Sequence, residues 1–381
     1  MNICLVYDHI YPQTIGGAER WMRDLALQLA DSGHDVTYLT MRHWDATNPP
    51  SLPGVEVVGL ADPGRVYDGD WRTLGPPLRF GLAVARHLAR DGRGYDVVHT
   101  ASFPFFPLLA AAALRRRGRY RIFVDWHEVW TRSYWRHYAG RLTGTIGWLV
   151  QRACIRVRQE AYCMSELNAR RLVAEGYPGD PVVLPGIYAG TSEPSSAGDV
   201  DPSLVVYAGR HVREKRVAEL VRAFQRARGE REGLRLEIYG NGPERGAVET
   251  LVEELGLEDS VLVAGHRPEG EVADALSRAA CLATASEREG YGLVIVEAAA
   301  RGTPSVVVAG PENGAVELIV DGENGAVAAS AGAADLSAAI LRVVEAGPAL
   351  RESTARWFAR HAPRLRIDES LQLVSERYRR A

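Results

Sequence analysis

Residues 3–8, ICLVYD, form a short apolar run closed by turn residues. A run of this kind reads as a strand buried on both faces. A Gly-Gly loop follows at 16–17. Apolar residues then recur at Ala18, Met22, Leu25, Ala26 and Leu29, the spacing of an amphipathic helix, with Gly33 as a stop. HDVTYLT (34–40) supplies a second strand. Strand, loop, helix and strand in this order make a βαβ unit, which implies a parallel sheet. Further strands are predicted at 95–100, 121–126, 159–165 and 180–186.

Residues 187–203 are dense in Ser, Gly, Pro and Asp with little apolar pattern, so they read as a linker. The alternation then restarts. Strands are predicted at 204–210, 234–242, 260–266, 281–286 and 304–310, and helices at 217–228, 247–256, 271–279 and 293–302. The last stretch, 356–381, is helical with an expected break at Pro363. The fold class is therefore α/β, with two Rossmann-like parallel-sheet domains facing a cleft. The predicted boundaries are 1–186 and 204–362, with 363–381 crossing back to the first domain. Two domains also suit 381 residues. In open α/β sheets ligands sit at the carboxyl ends of the strands.

Net charge is −3, and basic residues are scattered, so no nucleic-acid partner is expected. Cys4, Cys154, Cys163 and Cys281 are isolated in sequence, which fits reduced thiols in a cytoplasmic protein rather than a disulfide framework or zinc site. The start MNICLVYDH has no leader pattern, and the longest apolar stretch, 101–114, is short and broken by prolines. No membrane span is expected.

Of 45 basic residues only Lys215 is a lysine. Arginine-rich coding accounts for the bias; the survival of one lysine is either chance or function. In YAGRHVREKR, Arg210 and Lys215 follow a predicted strand and precede a helix start. A helix N-terminus with two cations suits a diphosphate, although a basic turn is also simply soluble. YGNGPE (239–244), with Gly240, and TIGGAER (14–20) are tight turns at strand ends, neither of them a dinucleotide fingerprint. In SEREGYGLVIVEAAARG, Glu289 stands beside Gly290, Tyr291 and Gly292, and Glu297 sits within an apolar run starting at Leu293. Two such carboxylates suit vicinal sugar hydroxyls. The plain alternative is a solvated loop residue and a surface helix position. A carboxylate among apolar neighbours is expected to need a partner.

GGAER, the His-Glu of DWHEVW, the GR and EK of 209–215, GNGPE and EGYGLVIVEAAARG, in this order, resemble the family 4 retaining glycosyltransferases of GT-B fold. The Glu-x7-Glu element is the most specific of these motifs. The resemblance implies a nucleotide diphosphate sugar, with UDP or GDP, held mainly by the second domain. By position, Arg210 and Lys215 would hold the diphosphate and Glu297 the ribose. Glu289 with Gly290, Tyr291, Gly292 and Leu293 would hold the donor sugar. His127 would lie by the reacting sugar, Gly16 and Gly17 would close the donor pocket, and His266 and Arg267 would lie near the base. His127, Arg210, Lys215 and Glu289 are the catalytic candidates. No metal and no cofactor are expected, the cations serving instead. Two departures from the family pattern stand out: Lys215-Arg216 where Lys-Gly is frequent, and Gly186 to Tyr188 where an Asn-Gly-Val-Asp pattern is commoner.

In DWHEVWTRSYWRHYAG (125–140), Trp126, Trp130, Tyr134 and Tyr138 recur every fourth residue and form one stripe if helical. Such a stripe packs on the core or walls an acceptor site, with Arg132, Arg136 and His137 at its edges. RRRGRYR, Arg115 to Arg121, is a water-exposed helix end or, less favoured, a membrane contact. The expected acceptor is a small natural product or oligosaccharide, with a lipid-linked glycan as the alternative. A binding scaffold without turnover is the non-enzymatic rival.

Overall fold

A computed structural model describes residues 1–380 apart from 46, 65, 66, 69, 70, 73, 192 and 194–198, with backbone only at 67, 68, 71 and 72. The chain divides into two compact units, Met1–Ile187 with Ile367–Ala381, and Tyr188–Arg366. Part of the predicted linker, 192 and 194–198, lies outside the described residues; 201–203 already open a strand.

In the first unit the order is β1 (Asn2–Val6), α1 (Gly17–Asp31), β2 (Asp35–Met41), β3 (Val55–Ala61), a two-residue ladder of β4 (Tyr67–Asp68) with β5 (Trp71–Arg72), α2 (Gly75–Asp91), β6 (Val97–Ala101), α3 (Phe106–Gly118), β7 (Arg121–Trp126), α4 (Arg132–Ala139), α5 (Arg141–Ile155), β8 (Glu160–Cys163), α6 (Glu166–Ala174) and β9 (Val182–Val183). Seven strands pair in the order β3-β2-β1-β6-β7-β8-β9, all parallel. One core unites Cys4, Val6, Val98, Ile122 and Val124 of the sheet with Phe80 and Val84 of α2, Leu108 and Ala111 of α3, and Cys154 and Ile155 of α5. These three helices therefore cover the same sheet face. That is the outcome right-handed crossovers dictate, since β3 to β6, β6 to β7 and β7 to β8 all step in one direction.

The second unit runs β10 (Asp201–Ala208), α7 (Val217–Glu230), β11 (Arg235–Tyr239), α8 (Arg245–Glu254), β12 (Val261–Gly265), α9 (Glu269–Arg278), β13 (Ala279–Ala283), α10 (Leu293–Ala299), β14 (Ser305–Val308), β15 (Gly325–Ala328) and α11 (Ala333–Leu365). Six parallel strands pair in the order β12-β11-β10-β13-β14-β15. Both sheets reverse their winding beside the first strand, and a ligand crevice opens at the carboxyl ends of such a reversal.

The break expected at Pro363 falls elsewhere. α11 bends at Gly347 (φ 53°), continues through Pro363, and ends where Arg366 turns extended (ψ 149°). α12 (Ile367–Arg380) then packs on the first unit. Tyr378, buried under the sheet, meets the Phe123 ring at 4.6 Å and bonds His99 Nδ1. Ser370 Oγ donates to the Gly186 carbonyl at 2.6 Å and accepts from its N–H at 3.2 Å. Tyr188 N–H donates to the Leu365 carbonyl at 3.1 Å. The unusual Gly186 to Tyr188 stretch is thus held by hydrogen bonds from its own backbone.

Candidate active site

In the second unit the winding reverses between β10 and β13, and the loops leaving these strands carry Lys215 and Glu289. After β10 the chain passes exposed Arg210, whose carbonyl accepts from the buried Tyr207 hydroxyl at 3.0 Å. It then makes one 3₁₀ turn, Arg213–Lys215. Arg216 follows in the left-handed region (φ 49°, ψ 46°) and opens α7. That backbone favours glycine, which explains the Lys-Gly of the family pattern; a side chain there costs about 1 kcal/mol.

The turn is fastened charge by charge to the loop after β13. Lys215 Nζ contacts Glu289 Oε1, Arg216 Nη2 lies 2.8 Å from Glu287 Oε2, and Arg288 Nη2 lies 2.8 Å from Glu214 Oε1. Glu287 N–H also donates to the Glu214 carbonyl at 2.8 Å. The Glu-Lys-Arg of one loop thereby meets the Glu-Arg-Glu of the other. Ser286 Oγ donates to the same Glu289 oxygen at 3.0 Å.

A third loop, after β14, braces the glutamate. Glu289 N–H donates to the Glu312 carbonyl at 3.2 Å, and Gly314 N–H to the Glu289 carbonyl at 2.9 Å. Buried Asn313 donates to the carbonyls of Ser286 at 3.3 Å and Val308 at 2.9 Å, and accepts from Ala315 N–H at 3.1 Å. Gly292 (φ 94°) caps α10, and a Cβ there would stand 2.8 Å from the Ala315 Cβ. Gly290, Tyr291, Gly292 and Leu293 are half-buried in this bend.

Glu297 is half-buried on α10, and its carbonyl accepts from Arg301 Nη1 at 2.7 Å. The Tyr188 phenol has its pKa raised by burial and by Glu297, against the opposing pull of Arg301. The desolvation expected of Glu297 is therefore partial, and it has charged and phenolic neighbours.

Gly240 (φ 122°) packs on the β10 loop: a Cβ would stand 1.9 Å from the Gly209 carbonyl oxygen. His211 N–H donates to the Asn241 carbonyl at 2.9 Å, so the two loops run stacked. His266 and Arg267 follow Gly265 on an exposed segment next to this stack, which is tied by Gly240 N–H to the Gly265 carbonyl at 2.9 Å. Arg210, Lys215, Gly240, His266, Arg267 and Glu289 thus share the carboxyl edge of one sheet.

In the first unit, Gly16 precedes α1, and a Cβ there would stand 2.4 Å from a carboxylate oxygen of buried Glu19. Gly17 opens the helix. His127 follows β7, and its Nε2 is buried with no hydrogen-bond partner among the described residues. Burial lowers the His127 pKa, against the opposing influence of Asp125, Glu19 and Glu128. Gly16, Glu19 and His127 therefore gather in one place. Asn168 holds the loop behind the ring: its Nδ2 donates to the His127 carbonyl at 3.1 Å, and its Oδ1 accepts from Val129 N–H at 2.8 Å.

The aromatic stripe is corrected by the structure. Trp126 ends a strand, is fully buried and donates through Nε1 to Gln159 at 2.9 Å; it is a core residue and lines no acceptor wall. Trp130 precedes the helix, whose cap is Thr131, accepting from Tyr134 N–H at 3.2 Å. Trp130 meets Tyr134, Trp135 and Tyr138 with ring centroids 5.2, 4.6 and 5.0 Å away. Tyr134 and Trp135 are buried, and Gln151 of α5 bonds both the Trp130 backbone and the Trp135 indole. Arg132 stacks on the Trp148 ring at 5.0 Å. Trp130 and Arg136 are half-buried, and His137 is exposed.

The sequence assigns no role to Glu19, Asn168, Glu214, Ser286, Arg288 or Asn313, although Glu19, Glu214, Ser286 and Arg288 lie inside its motifs. The turn PENG (311–314) and the alternating charges of 214–216 and 287–289 were the available signals. Among the described residues no three His, Cys, Asp or Glu side chains converge as a metal site, and no helix is long and apolar enough to cross a membrane.

Residues 15–186 match the family described as Glycosyltransferase Family 4, and residues 191–357 match Glycosyl transferases group 1. The chain belongs to glycosyltransferase family 4. It is 27% identical to the glycogen synthase of Mycobacterium tuberculosis, covering 93% of this chain and 89% of that protein. It is 26% identical to the MMP alpha-(1->4)-mannosyltransferase of Mycolicibacterium hassiacum, covering 88% of each. Sucrose-phosphate synthase from Thermosynechococcus elongatus shares the fold with TM-score 0.82 at 21% identity, covering 100% of this chain and 98% of that one. Anabaena Alr3699/HepE in complex with UDP-glucose does so with TM-score 0.77 at 17% identity over the whole of both chains. This family 4 chain is a GT-B glycosyltransferase.

Proposed function

We propose that this glycosyltransferase moves a hexose, or a modified hexose, from UDP or GDP to an acceptor hydroxyl with retention at the sugar, without a metal and in the cytoplasm. The observation that carries the reading is Lys215, the one lysine of the chain, set against Glu289 at the sheet's point of reversal with Arg210 on the same loop. Breaking a sugar–phosphate bond leaves negative charge on the diphosphate and positive charge on the sugar ring. Arg210 and Lys215 stabilise the first charge as it grows, and Glu289 fixes the sugar hydroxyls. Glu297 accepts from the ribose hydroxyls. The departing phosphate oxygen takes the acceptor proton, while His127, kept neutral by burial, orients rather than abstracts. The solved neighbour that holds UDP-glucose supports a nucleotide-sugar donor.

The acceptor is a small natural product or an oligosaccharide. With Trp126 in the core, Trp130, Arg132, Tyr134 and Arg136 are the residues proposed to read it; of these Arg132 is exposed and Trp130 and Arg136 are half-buried. A panel of UDP and GDP in thermal shift identifies the nucleotide, because a ligand selective for the native state raises the melting temperature. Isotope-labelled donor with candidate acceptors then separates transfer from hydrolysis or plain binding. No shift with any nucleoside diphosphate would refute the reading.

A further inference from the structure

Six of the eleven exposed large apolar side chains among the described residues lie in two rows in the first unit. Leu74, at the N-cap of α2, and Leu78 and Leu82, along it, are 62, 45 and 58% exposed. Leu142, Ile146 and Leu149, along α5, are 77, 53 and 54% exposed. Spacings of three and four place each row on one side of its helix. Scattered exposed leucines need no explanation, but two aligned rows do. Both helices pack their inner sides into the same core, together with α3, so the rows point away from the same sheet face. Between them α3 turns Ala113, Arg116 and Arg117 to solvent.

The charge of this layer is one-sided. Helices α2, α3 and α5 together carry eight arginines and a single carboxylate, Asp91. Arg115 Nη1 donates to the Arg158 carbonyl at 3.1 Å, which sets the Arg115–Arg117 cluster beside the end of α5, where Arg156 is also exposed.

We propose that this three-helix face docks on a lipid bilayer with anionic headgroups. The leucine rows enter the acyl boundary, and the arginines meet the headgroup charge. A second copy of the chain is a poor occupant: a two-fold contact would bring the patch against itself, arginine facing arginine. A nucleic acid would leave the apolar rows unused. The surface is independent of the transfer chemistry, since none of these leucines, nor Arg116 or Arg117, belongs to the candidate site.

The test is co-sedimentation of the full chain with vesicles of phosphatidylcholine alone, or containing about one-third phosphatidylglycerol, at low and high salt. We expect partition onto the anionic vesicles only, weakened by salt. Ile146→Gln with Leu149→Gln, and separately Arg116→Glu with Arg117→Glu, should each lower the partition coefficient at least ~10-fold. Circular dichroism and melting temperature confirm that both variants fold. No binding, equal binding to neutral vesicles, or binding indifferent to both variants would overturn the proposal. So would a concentration-dependent dimer that the glutamine pair abolishes.

Discussion

Lys215 Nζ rests against Oε1 of Glu289, the oxygen that also accepts from Ser286 Oγ at 3.0 Å. On the proposed function this lysine is positioned but not consumed: an arriving diphosphate would offer more negative charge, and the glutamate would be released toward sugar hydroxyls. We predict that Lys215→Ala and Arg210→Ala each lower turnover at least ~100-fold, the scale of losing one electrostatic contact to a transition state. Steady-state kinetics with labelled donor checks this, with melting temperatures recorded because Lys215→Ala leaves Glu289 without its cation. Near wild-type rates in a folded variant would remove these residues from the chemistry.

Glu297 stands apart from that pair, half-buried on α10 with Arg301 and Tyr188 as neighbours. Its proposed part is binding, so Glu297→Ala should weaken nucleotide affinity by about 10-fold or more, the scale of a hydrogen bond to a charged group. Single-turnover rates at saturating donor should change less. Calorimetric titration with the free nucleoside diphosphate reads the first quantity, and unaltered affinity would contradict the ribose assignment.

Much of this was written in the chain. ICLV and RIFVDW announce parallel strands because strands buried on both faces cannot alternate with polar residues. VEVVGLA, which forms β3, lies outside the predicted strands, and so does GAVA, which forms β15 and whose alanines and glycine carry little strand preference. The stripe beginning at Trp126 misled because fourfold spacing persists across a strand end, a loop and a helix start. Periodicity reports side-chain direction only while the backbone stays helical. The pairing of 214–216 with 287–289 links residues more than seventy positions apart, and only the strand order brings them together.

Gly240 offers a test of the loop stack. With φ at 122° and a hypothetical Cβ 1.9 Å from the Gly209 carbonyl oxygen, Gly240→Ala meets both torsional strain and a backbone collision. We expect a stability loss of about 2 kcal/mol or more, since the backbone cannot yield as a flexible side chain would. Urea denaturation followed by circular dichroism reads it. Gly229→Ala, within α7 and with open space around its Cβ, serves as the comparison and should be neutral or stabilising. Equal midpoints for the two variants would show that the stack is softer than its geometry implies.

Burial lowers the pKa of His127, and burial with Arg245 lowers that of His211, whose two ring nitrogens are buried without hydrogen-bond partners among the described residues. Unfolded, each titrates near the ordinary histidine value of 6.5. As pH falls through that value the unfolded chain gains protons that the native state refuses. Stability is therefore complete above it and declines until the lowered native pKa is reached. Asp125 behaves differently: burial opposes its ionisation, but His99, His127 and the Trp21 indole outweigh it, so its pKa falls below 3.8 and its contribution is lost only in stronger acid. The two windows separate. Melting temperature should drop between about pH 7 and pH 5, and His211→Leu, which removes one refused proton without stranding a partner, should flatten that slope. Parallel profiles for wild type and variant would mean that His211 accepts its proton in the native state.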